Sequence, residues 1–376
     1  MLQTKLRRKK EINKKKIICV VGTRPEAIKM APIILELKSR NDVDCKVLAT
    51  AQHRQMLDQV FGVFQIKPDI DLDIMKPNQK LTKLTSRLLL NLDKVFLEQR
   101  PDIVLSQGDT TTVMTTALTC FYHRIAFGHV EAGLRTWDIS NPFPEEMNRV
   151  VSGKLSEWHF APTEGSRQNL LKEGYDDSQI FVTGNTVIDA LKIAITKKLD
   201  IGESLDKSKK LILVTAHRRE NFGSPMREIC RAILALVKKN QDIQILFPVH
   251  PNPNVQSVVY ELLDGNKQIV LCKPLDYLPF VAAMQRAYFI LSDSGGVQEE
   301  APALGKPVLV LREETERPEA IDAGTAKLVG CDYDTIIKES QKLLNDQLYY
   351  KSMSLDESPY GDGHSAKRIV KVLLGK

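Results

Sequence analysis

Residues 288–311 read YFILSDSGGVQEEAPALGKPVLVL and hold the most informative pattern of the chain. An apolar run at each end flanks a polar loop and a helical pattern, which predicts strand, loop, helix and strand. Ser294, Gly295 and Gly296 then lie at the helix N-terminus, where unpaired N–H groups and the helix dipole favour a phosphate. Glu300 follows one turn later, so its carboxylate could grip the ribose of a nucleotide.

The same alternation of apolar β-branched runs and amphipathic helical stretches continues through most of the chain. Runs that are apolar on both faces, separated by helices, are typical of parallel sheets covered on both sides. We predict an α/β fold with two doubly wound, Rossmann-like domains facing a central cleft. The predicted strands are Ile17–Val21, Asp44–Ala49, Ile103–Ser106, Arg124–His129, Trp158–Ala161, Ile180–Thr183, Leu211–Thr215, Ile243–Pro248, Ile269–Leu271, Tyr288–Ser292 and Val308–Leu311.

A chain of 376 residues is too long for one ordinary core, and a change of pattern suggests where it divides. The charged segment 197–210 lacks apolar periodicity, which predicts a surface linker. We therefore expect one domain over residues 17–196 and a nucleotide-binding domain over residues 211–357. A turn-rich break, Ser358–Gly363, precedes a last predicted helix, Ala366–Leu374.

Charge and composition exclude several classes of protein. The net charge is +6, but residues 1–16 hold eight Lys or Arg and one Glu, so the remainder carries −1. A near-neutral body predicts no nucleic-acid partner, and we interpret residues 1–16 as a disordered extension rather than an RNA- or lipid-binding arm. No apolar stretch approaches the roughly 18 residues that span a bilayer. Scattered cysteines and the lack of a secretory signal predict a reduced, cytoplasmic protein.

Clusters of polar residues follow the predicted strands, each beyond the carboxyl end of its strand. That edge is where open α/β sheets bind ligands. Two such edges facing each other across a cleft would enclose a nucleotide-linked substrate. The clusters are Thr23–Glu26 with Lys29, Gln107–Thr110, Glu131–Arg135, His217–Glu220 and His250.

Each cluster also has a purely structural interpretation. Asp109 with Thr110 could cap a helix, and Glu131 could pair with Arg135 in a loop. His217 could be an ordinary surface histidine. The coincidence that every cluster lies at the same end of its strand favours a site. Arg24-Pro25 could form a turn with the proline at the first helical position. Glu145-Glu146 could be acids that complement the dipole in the first turn of a helix.

Common cofactor signals are missing from the sequence. The turn Gly22-x-x-Pro25 is not G-x-G-x-x-G, so a nicotinamide site is poorly supported. A G-x-x-x-x-G-K-[ST] loop is missing as well, and no His, Asp or Cys pair has metal-ligand spacing. We predict neither cofactor nor resident metal, although Asp109 alone leaves Mg²⁺ open.

Taken together and in this order, the clusters closely resemble the motifs of the non-hydrolysing UDP-N-acetylglucosamine 2-epimerases. The likeness extends over nearly everything from Ile17 onward. It implies the B-type glycosyltransferase fold, a C-terminal helix (364–376) packed back on the first domain, and a homodimer. It also implies interconversion of UDP-GlcNAc and UDP-ManNAc, which supplies N-acetylmannosamine for envelope polysaccharides. The matching stretches are residues 22–29 (GTRPEAIK), 107–110 (QGDT), 129–136 (HVEAGLRT), 144–149 (PEEMNR), 217–221 (HRREN), 293–302 (DSGGVQEEAP) and 314–319 (ETERPE).

The likeness also implies roles for individual residues. Glu300 would grip the ribose and Phe280 would lie by the uracil. Other residues would hold the diphosphate or surround the sugar and its departing phosphate. These are Arg24, Lys29, Ser294, Gly295, Gly296 and Arg317 for the diphosphate, and Asp109, Glu131, Glu145 and His217 for the sugar.

The chain departs from the family's pattern at individual positions. Leu275 stands where some relatives carry a glutamine that helps to bind the nucleotide. Some bacterial members bind a second UDP-GlcNAc as an activator, and Asn78 stands where those members carry an arginine. The residues of such a second site would be Gln52, His53, Gln55, Arg218 and His250.

The chemistry implied by the family explains why so many charged groups are needed. The hydrogen on carbon 2 of the sugar has no adjacent carbonyl, so direct abstraction would be too slow. In the implied mechanism UDP is expelled first, which gives a glycal, and UDP then adds back to the opposite face. This path needs cations that stabilise the departing diphosphate and carboxylates that take the proton. Crowding of these acids predicts raised pKa values. The alternatives are a UDP-sugar glycosyltransferase, a hydrolysing epimerase and a silent sugar-nucleotide sensor.

Overall fold

The computed structural model describes residues 14–50, 54–74, 79–355 and 358–375. Contacts divide the chain into two units, each built on one parallel sheet. Of the described residues, the first unit contains those up to Ala161, those within Ser166–Phe181 and those from Ala366 onward, and the second contains Pro162–Gly165 and those within Val182–Ser365.

Strands and helices alternate along the whole described chain. The elements up to the passage into the second unit are β1 (Lys15–Val21), α1 (Arg24–Lys38), β2 (Val43–Ala49), α2 (Arg54–Phe64), β3 (Ile70–Asp71), α3 (Leu81–Gln99), β4 (Ile103–Gln107), α4 (Thr111–His123), β5 (Ala126–Val130), α5 (Glu145–Lys154), β6 (Trp158–Ala161), α6 (Glu164–Lys172) and β7 (Ile180–Val182).

The remaining elements form the second unit, except for the last helix. They are α7 (Thr186–Ile195), β8 (Lys210–Thr215), α8 (Ser224–Lys239), β9 (Ile243–Pro248), α9 (Pro253–Leu263), β10 (Ile269–Cys272), α10 (Tyr277–Arg286), β11 (Ala287–Ser292), α11 (Gly295–Glu300), β12 (Val308–Val310), α12 (Pro318–Asp322), β13 (Ala326–Leu328), α13 (Tyr333–Asn345), α14 (Gln347–Met353) and α15 (Ser365–Leu373).

The first sheet has seven strands in the order β3-β2-β1-β4-β5-β6-β7. Its central strand β1 pairs in parallel with β2 on one side and β4 on the other. All five residues of β4 are buried, which explains why this run lacks polar alternation. On one side of the sheet the core contains Val20, Leu88, Phe96, Val104 and Phe127.

The second sheet has six strands in the order β10-β9-β8-β11-β12-β13. Strand order reverses between β8 and β11, as it does between β1 and β4 in the first sheet. Helices α8, α9 and α13 contribute to a core that contains Ile212, Ile233, Ile245, Val259 and Phe289. A reversal of this kind leaves a crevice at the carboxyl edge of a doubly wound sheet.

The α/β prediction with two Rossmann-like domains is confirmed, and every predicted strand is present within about two residues at each end. The strand predicted to start at Arg124 starts later because Arg124 ends α4 in a left-handed conformation, with φ 55°. Strands β3 and β13 were not predicted. They span two and three residues, too few for a periodic pattern to appear.

The division between the units differs from the predicted linker at residues 197–210. After the short stretch Pro162–Gly165, the chain returns to the second unit at Val182, so α7 belongs there although it precedes the charged segment. Helix α7 contacts α10 and α11 and buries Val187, Ile188 and Leu191. These contacts between helices, rather than the charged segment 197–210, determine that α7 belongs to the second unit. The last helix, α15, has most of its residues in the first unit.

Helix α3 is the longest of the described helices, with 19 residues. Leu84, Leu88 and Leu92 recur every four residues on its buried face, whereas Leu90 and Leu97 are exposed. This amphipathic pattern is typical of a helix that covers a sheet. In the described part of the chain, no helix combines the length and apolar character that crossing a membrane requires.

Two glycines of the first unit test how tightly the sheet is packed. A Cβ on Gly128 in β5 would lie 2.6 Å from Leu105 Cδ2, whereas one on Gly62 in α2 would meet nothing within 4 Å. We expect Gly128→Ala to lower the free energy of unfolding by about 1–3 kcal/mol through overpacking. The matched control Gly62→Ala should raise it by up to about 1 kcal/mol. Thermal unfolding measures both changes, and equal shifts for the two variants would contradict this account.

Candidate active site

The chain passes from β1 into α1 through a reciprocal cap. Thr23 Oγ1 accepts the N–H of Glu26 at 3.4 Å, and Glu26 Oε2 accepts the N–H groups of Gly22 and Thr23 at 2.5 and 3.1 Å. This capping box fixes where the helix begins. It places Arg24 at the first position of α1 and Lys29 further along the same helix.

Glu26 is buried beneath this turn. A Cβ on Gly22 would lie 2.6 Å from Thr112 Oγ1 and 2.8 Å from Thr50 Oγ1, so the turn has room only for glycine. Burial raises the pKa of Glu26 to about 7, against the hydrogen bonds that its carboxyl group accepts. The carboxyl group of Glu26 therefore titrates near neutral pH.

Glu131 follows β5 with a left-handed backbone, φ 63°. Its buried carboxylate forms an ion pair with Lys29 Nζ at 2.6 Å and accepts a hydrogen bond from Nε2 of Gln107. The alternative in which Glu131 pairs with Arg135 is wrong. Arg135 instead donates from Nε and Nη2 to Glu173 at 2.9 and 2.8 Å.

Asp109 lies between β4 and α4, where Thr110 rather than Asp109 caps the helix. Arg149 of α5 donates from Nε and Nη2 to Asp109 Oδ2 at 3.0 and 2.8 Å, and from Nη1 to Glu146 at 2.8 Å. Nδ2 of Asn148 donates to the carbonyl oxygen of Asp109 at 2.8 Å. Helix α5 thus holds both the backbone and the side chain of Asp109.

The two adjacent acids at the start of α5 have different surroundings. Glu146 is buried and accepts the N–H groups of Thr136 and Trp137 at 3.1 and 3.2 Å, which ties the preceding loop to the helix. Glu145 is half-buried and forms no ion pair with the residues that the structure describes. Both lie in the first turn, where the helix dipole favours acids, but among the described residues only Glu146 has charged and backbone partners as well.

In the second unit, Ser294 is the N-cap residue of α11, so the helix begins at Gly295 as the sequence predicts. A Cβ on Gly295 would lie 3.9 Å from guanidinium atoms of both Arg218 and Arg317. Two cations therefore approach the same stretch of glycine backbone. This arrangement of charge favours an anionic group, and planar guanidinium groups match phosphate oxygens well.

The carboxylate expected to grip a ribose is close to the second glycine. A Cβ on Gly296 would lie 3.8 Å from Glu300 Oε1 and 3.9 Å from Ser294 Oγ. Phe280 is half-buried in α10, and Leu275 is half-buried just before that helix. Contact of Phe280 with a uracil stays a prediction.

Arg317 is held on several sides. Its Nε donates to Oε1 of the buried Glu299 at 2.5 Å, and its N–H donates to Thr315 Oγ1 at 3.1 Å. The hydroxyl of the buried Tyr360 donates to its carbonyl oxygen at 3.4 Å. These contacts restrict how far the guanidinium group can move from Gly295.

His217 follows β8 and faces a buried carboxylate. Its Nδ1 lies 3.3 Å from Oδ1 of Asp293, which is fully buried. The imidazole ring also stacks on that of His250, with ring centroids 5.5 Å apart and planes inclined by 19°. Burial, aided by His217, lowers the pKa of His250. His217 is therefore part of a defined cluster and not an isolated surface histidine.

Only part of the predicted second nucleotide site can be located. Arg218 and His250 lie in the second unit, beside Gly295 and His217 respectively. Gln55 belongs to α2. The second site stays a prediction, because Gln52, His53 and Asn78 lie outside the described residues.

Several residues that orient the candidate groups were missed by the sequence analysis. Arg149 lies four residues after Glu145 on a helix, a spacing that could have indicated a neighbour of the predicted acids. Asp293 and Glu299 lie inside a quoted motif, but their partners are on other loops. The pattern of residues around Asp293 or Glu299 in the sequence does not indicate which residues of other loops they contact.

The predicted crowding of acids takes a different form in the structure. Asp109 and Glu131 are each paired with a cation, Arg149 and Lys29, at 2.8 and 2.6 Å. Among the described carboxyl groups, one with a raised pKa is that of Glu26, which the sequence analysis named only as part of the cluster Thr23–Glu26. Among the described residues, no group of three or more His, Cys, Asp or Glu is placed to hold a metal ion.

Comparison with known proteins identifies the family to which the chain belongs. Residues 35–374 match the family model described as UDP-N-acetylglucosamine 2-epimerase. The chain belongs to the UDP-N-acetylglucosamine 2-epimerase family. It is 52% identical over 368 residues to the UDP-N-acetylglucosamine 2-epimerase of Salmonella typhimurium, an alignment that spans 95% of this chain and 98% of the relative. The predicted resemblance is confirmed.

Solved structures of 2-epimerases have the same fold. The UDP-GlcNAc 2-epimerase of Neisseria meningitidis, crystallised with UDP-GlcNAc, is 48% identical and has a TM-score of 0.89 over 96% of this chain and 100% of that one. The enzyme of Methanocaldococcus jannaschii, crystallised with UDP-GlcNAc and UDP, is 36% identical, with a TM-score of 0.79 over 96% and 100%. The fold of this family member is therefore that of crystallised 2-epimerases.

The buried carboxyl group of Glu26 predicts a pH-dependent stability for this family member. Its pKa is about 7 in the folded chain against an ordinary value of 4.5, so folding favours the protonated form. The contribution of Glu26 is therefore complete below about pH 4.5 and is lost as the pH rises through about 7. Glu26→Gln keeps an oxygen for the N–H groups of Gly22 and Thr23 but cannot ionise. By about pH 8 the variant should be more stable than the wild type by up to about 3 kcal/mol.

Thermal unfolding of both proteins across this pH range measures the difference. The difference in stability between Glu26→Gln and the wild type should grow as the pH rises and should nearly vanish in acid. A constant difference at every pH would contradict the burial of an ionisable group at this position.

Proposed function

We propose that this chain reversibly converts UDP-GlcNAc to UDP-ManNAc by inverting carbon 2 of the sugar. The observation that carries the proposal is its similarity, over nearly its whole length, to 2-epimerases that bind UDP-GlcNAc in crystals. The local geometry supports it, because the groups that the reaction needs lie at the carboxyl edges of the two sheets.

The proposed reaction avoids removing an unactivated proton. The bond between carbon 1 and the UDP oxygen breaks first, which places positive charge on the sugar and acidifies the hydrogen on carbon 2. Loss of that proton gives a glycal and free UDP. Re-addition of a proton at carbon 2 and of UDP at carbon 1, with the opposite configuration at carbon 2, completes the exchange.

The second unit is assigned the nucleotide. Arg317 and Arg218 would neutralise the diphosphate beside Gly295, where both guanidinium groups converge. N–H groups at the start of α11 add donors, and Glu300 next to Gly296 suits the ribose hydroxyls. Developing negative charge on departing UDP is thereby met by fixed positive charge.

The first unit is assigned the sugar chemistry. Asp109 and Glu131 are held by Arg149 and Lys29, so their carboxylates have fixed positions and suit the stabilisation of positive charge. Glu145 is not held by an ion pair among the described residues, so its carboxylate is available to accept and return the proton. We assign proton transfer to Glu145 on this difference.

The cellular setting follows from the product. UDP-ManNAc would supply N-acetylmannosamine units to envelope polysaccharide, and sugar nucleotides of this kind are used in the cytoplasm. All six cysteines are free, which fits a reducing compartment.

Proton NMR of UDP-GlcNAc incubated with the purified full chain in D₂O tests the proposal. We expect UDP-ManNAc that carries one deuterium at carbon 2, because the proton returns from solvent. Unlabelled UDP-ManNAc would contradict the elimination. Release of free N-acetylmannosamine with UDP would identify a hydrolysing epimerase, and no UDP-ManNAc at all would favour a transferase or a silent binder.

The same assay separates chemistry from binding. Asp109→Asn should lower kcat by about 100-fold or more and change the Kd for UDP less than about threefold, since the change affects charge near the sugar. Asp44→Asn is the matched control, because Asp44 is exposed near the amino end of β2, the opposite edge of the sheet. Loss of UDP binding with normal turnover of the bound fraction would remove Asp109 from the chemistry.

We also propose that the chain forms a homodimer through α3 and α4. Leu90 and Leu97 are seven residues apart and share the exposed face of α3, and Phe121 and Tyr122 are exposed at the end of α4. A hydrogen bond of 2.8 Å between Nε2 of His123 and Oδ1 of Asp93 joins the helices on this side. Exposed apolar side chains in one region mark a surface that another chain covers.

Leu97→Glu tests the dimer, since a charge placed in an apolar interface costs several kcal/mol. We expect a mass of one chain by light scattering after gel filtration, against two chains for the wild type. Leu348→Glu is the matched control, because Leu348 is 81% exposed on α14 in the other unit. A dimer that survives Leu97→Glu would place the interface elsewhere.

A further inference from the structure

The carboxylate of Asp293 is fully buried at the end of β11, next to Ser294. Its Oδ2 accepts three hydrogen bonds, from the N–H groups of His217 and Arg218 at 2.7 and 2.8 Å and from Nδ2 of Asn221 at 3.0 Å. These contacts tie the loop after β8 to the loop after β11. They also fix the orientation of the Asp293 side chain.

The other oxygen, Oδ1, is buried as well and accepts no hydrogen bond from the described residues. Nδ1 of His217 lies 3.3 Å from it, within ion-pair distance. A buried acceptor that lacks a donor is unfavourable, so a small rotation of the imidazole onto Oδ1 lowers the free energy. A carboxylate accepts but cannot donate, and the contact therefore requires a proton on Nδ1.

We propose that Asp293 is a positioning residue that keeps a proton on Nδ1 of His217 and so leaves Nε2 for the substrate. The proposal rests on the proposed function, because the family resemblance places His217 by the sugar and its departing phosphate. In the imidazolium form, Nδ1–H donates to Asp293 and Nε2–H remains for a phosphate oxygen. The side chain of His217 is 38% exposed, so a ligand can reach the ring.

The other groups around His217 fit this role. His250 stacks on the face of the ring and leaves both nitrogens free of competition from it. Burial and the neighbouring His217 lower the pKa of His250, which favours the neutral form of the ring that lies against His217. Arg218 directs its guanidinium group towards Gly295, where the diphosphate is proposed to bind.

The tautomer of His217 in the wild-type chain is the direct test. Histidines labelled with ¹⁵N report the protonated nitrogen through long-range ¹H–¹⁵N correlations, and His217→Gln assigns the signals. We expect the neutral ring to carry its proton on Nδ1. A neutral ring protonated on Nε2 overturns the proposal. The measurement needs no turnover, so it decides the role of Asp293 even if the proposed function fails.

Asp293→Asn tests the consequence for turnover. The amide keeps an oxygen for the three donors but places an NH₂ group where Oδ1 stood, which moves the proton of His217 to Nε2. We expect kcat to fall by about 100-fold or more and KM to change less than about threefold. In a His217→Gln background the same substitution should change kcat less than about threefold, since the positioned ring is already lost.

A purely structural role gives a different pattern. Equal losses of kcat in both backgrounds, or an unchanged tautomer in Asp293→Asn, would overturn the proposal. Asp189→Asn is the matched control, because Asp189 is a buried aspartate of the same unit that accepts the N–H of Ser365 at 3.2 Å. It should leave the tautomer of His217 unchanged. If Asp293→Asn does not fold, the wild-type spectrum decides.

Discussion

Parallel strands bring all their carboxyl ends to one edge of a sheet, and this constraint places most of the candidate functional groups that the structure describes. In the first unit the strand order reverses between β1 and β4; Arg24 begins the helix that follows β1, and Asp109 lies in the turn after β4. In the second unit it reverses between β8 and β11, and the loops there carry His217 and Ser294. Helices leave the two strands of each pair on opposite sides, so a crevice opens where the reversal occurs.

Charge pairing is what keeps these groups in place. A buried charge is costly unless it is paired and hydrogen-bonded, and three ion pairs at the two edges meet this condition through partners on other elements. Lys29 holds Glu131, Arg149 holds Asp109, and Glu299 holds Arg317. Fixed charges of this kind stabilise a changing charge distribution without rearranging during the reaction, which suits the proposed departure and return of UDP.

Much of the fold and many of the candidate residues could be predicted because their signals are local. Apolar runs indicated the strands, and the Ser294-Gly295-Gly296 turn indicated the start of α11, which the structure confirms. The short strands β3 and β13 gave no periodic signal. The unit to which α7 belongs depends on contacts with α10 and α11, which no feature of its own sequence reports.

The sequence by itself determined the class of fold, the order of the elements and the positions of the motifs, because periodicity, caps and turns depend on neighbours along the chain. Only the tertiary structure decided which charged and polar groups pair with each other. Asp109 and Arg149 are 40 residues apart, Lys29 and Glu131 are 102 apart, and Asp293 lies 76 residues from His217. Ion pairs and hydrogen bonds act through space over a few ångströms, so partners this distant in the sequence become identifiable only when the sheets bring them together.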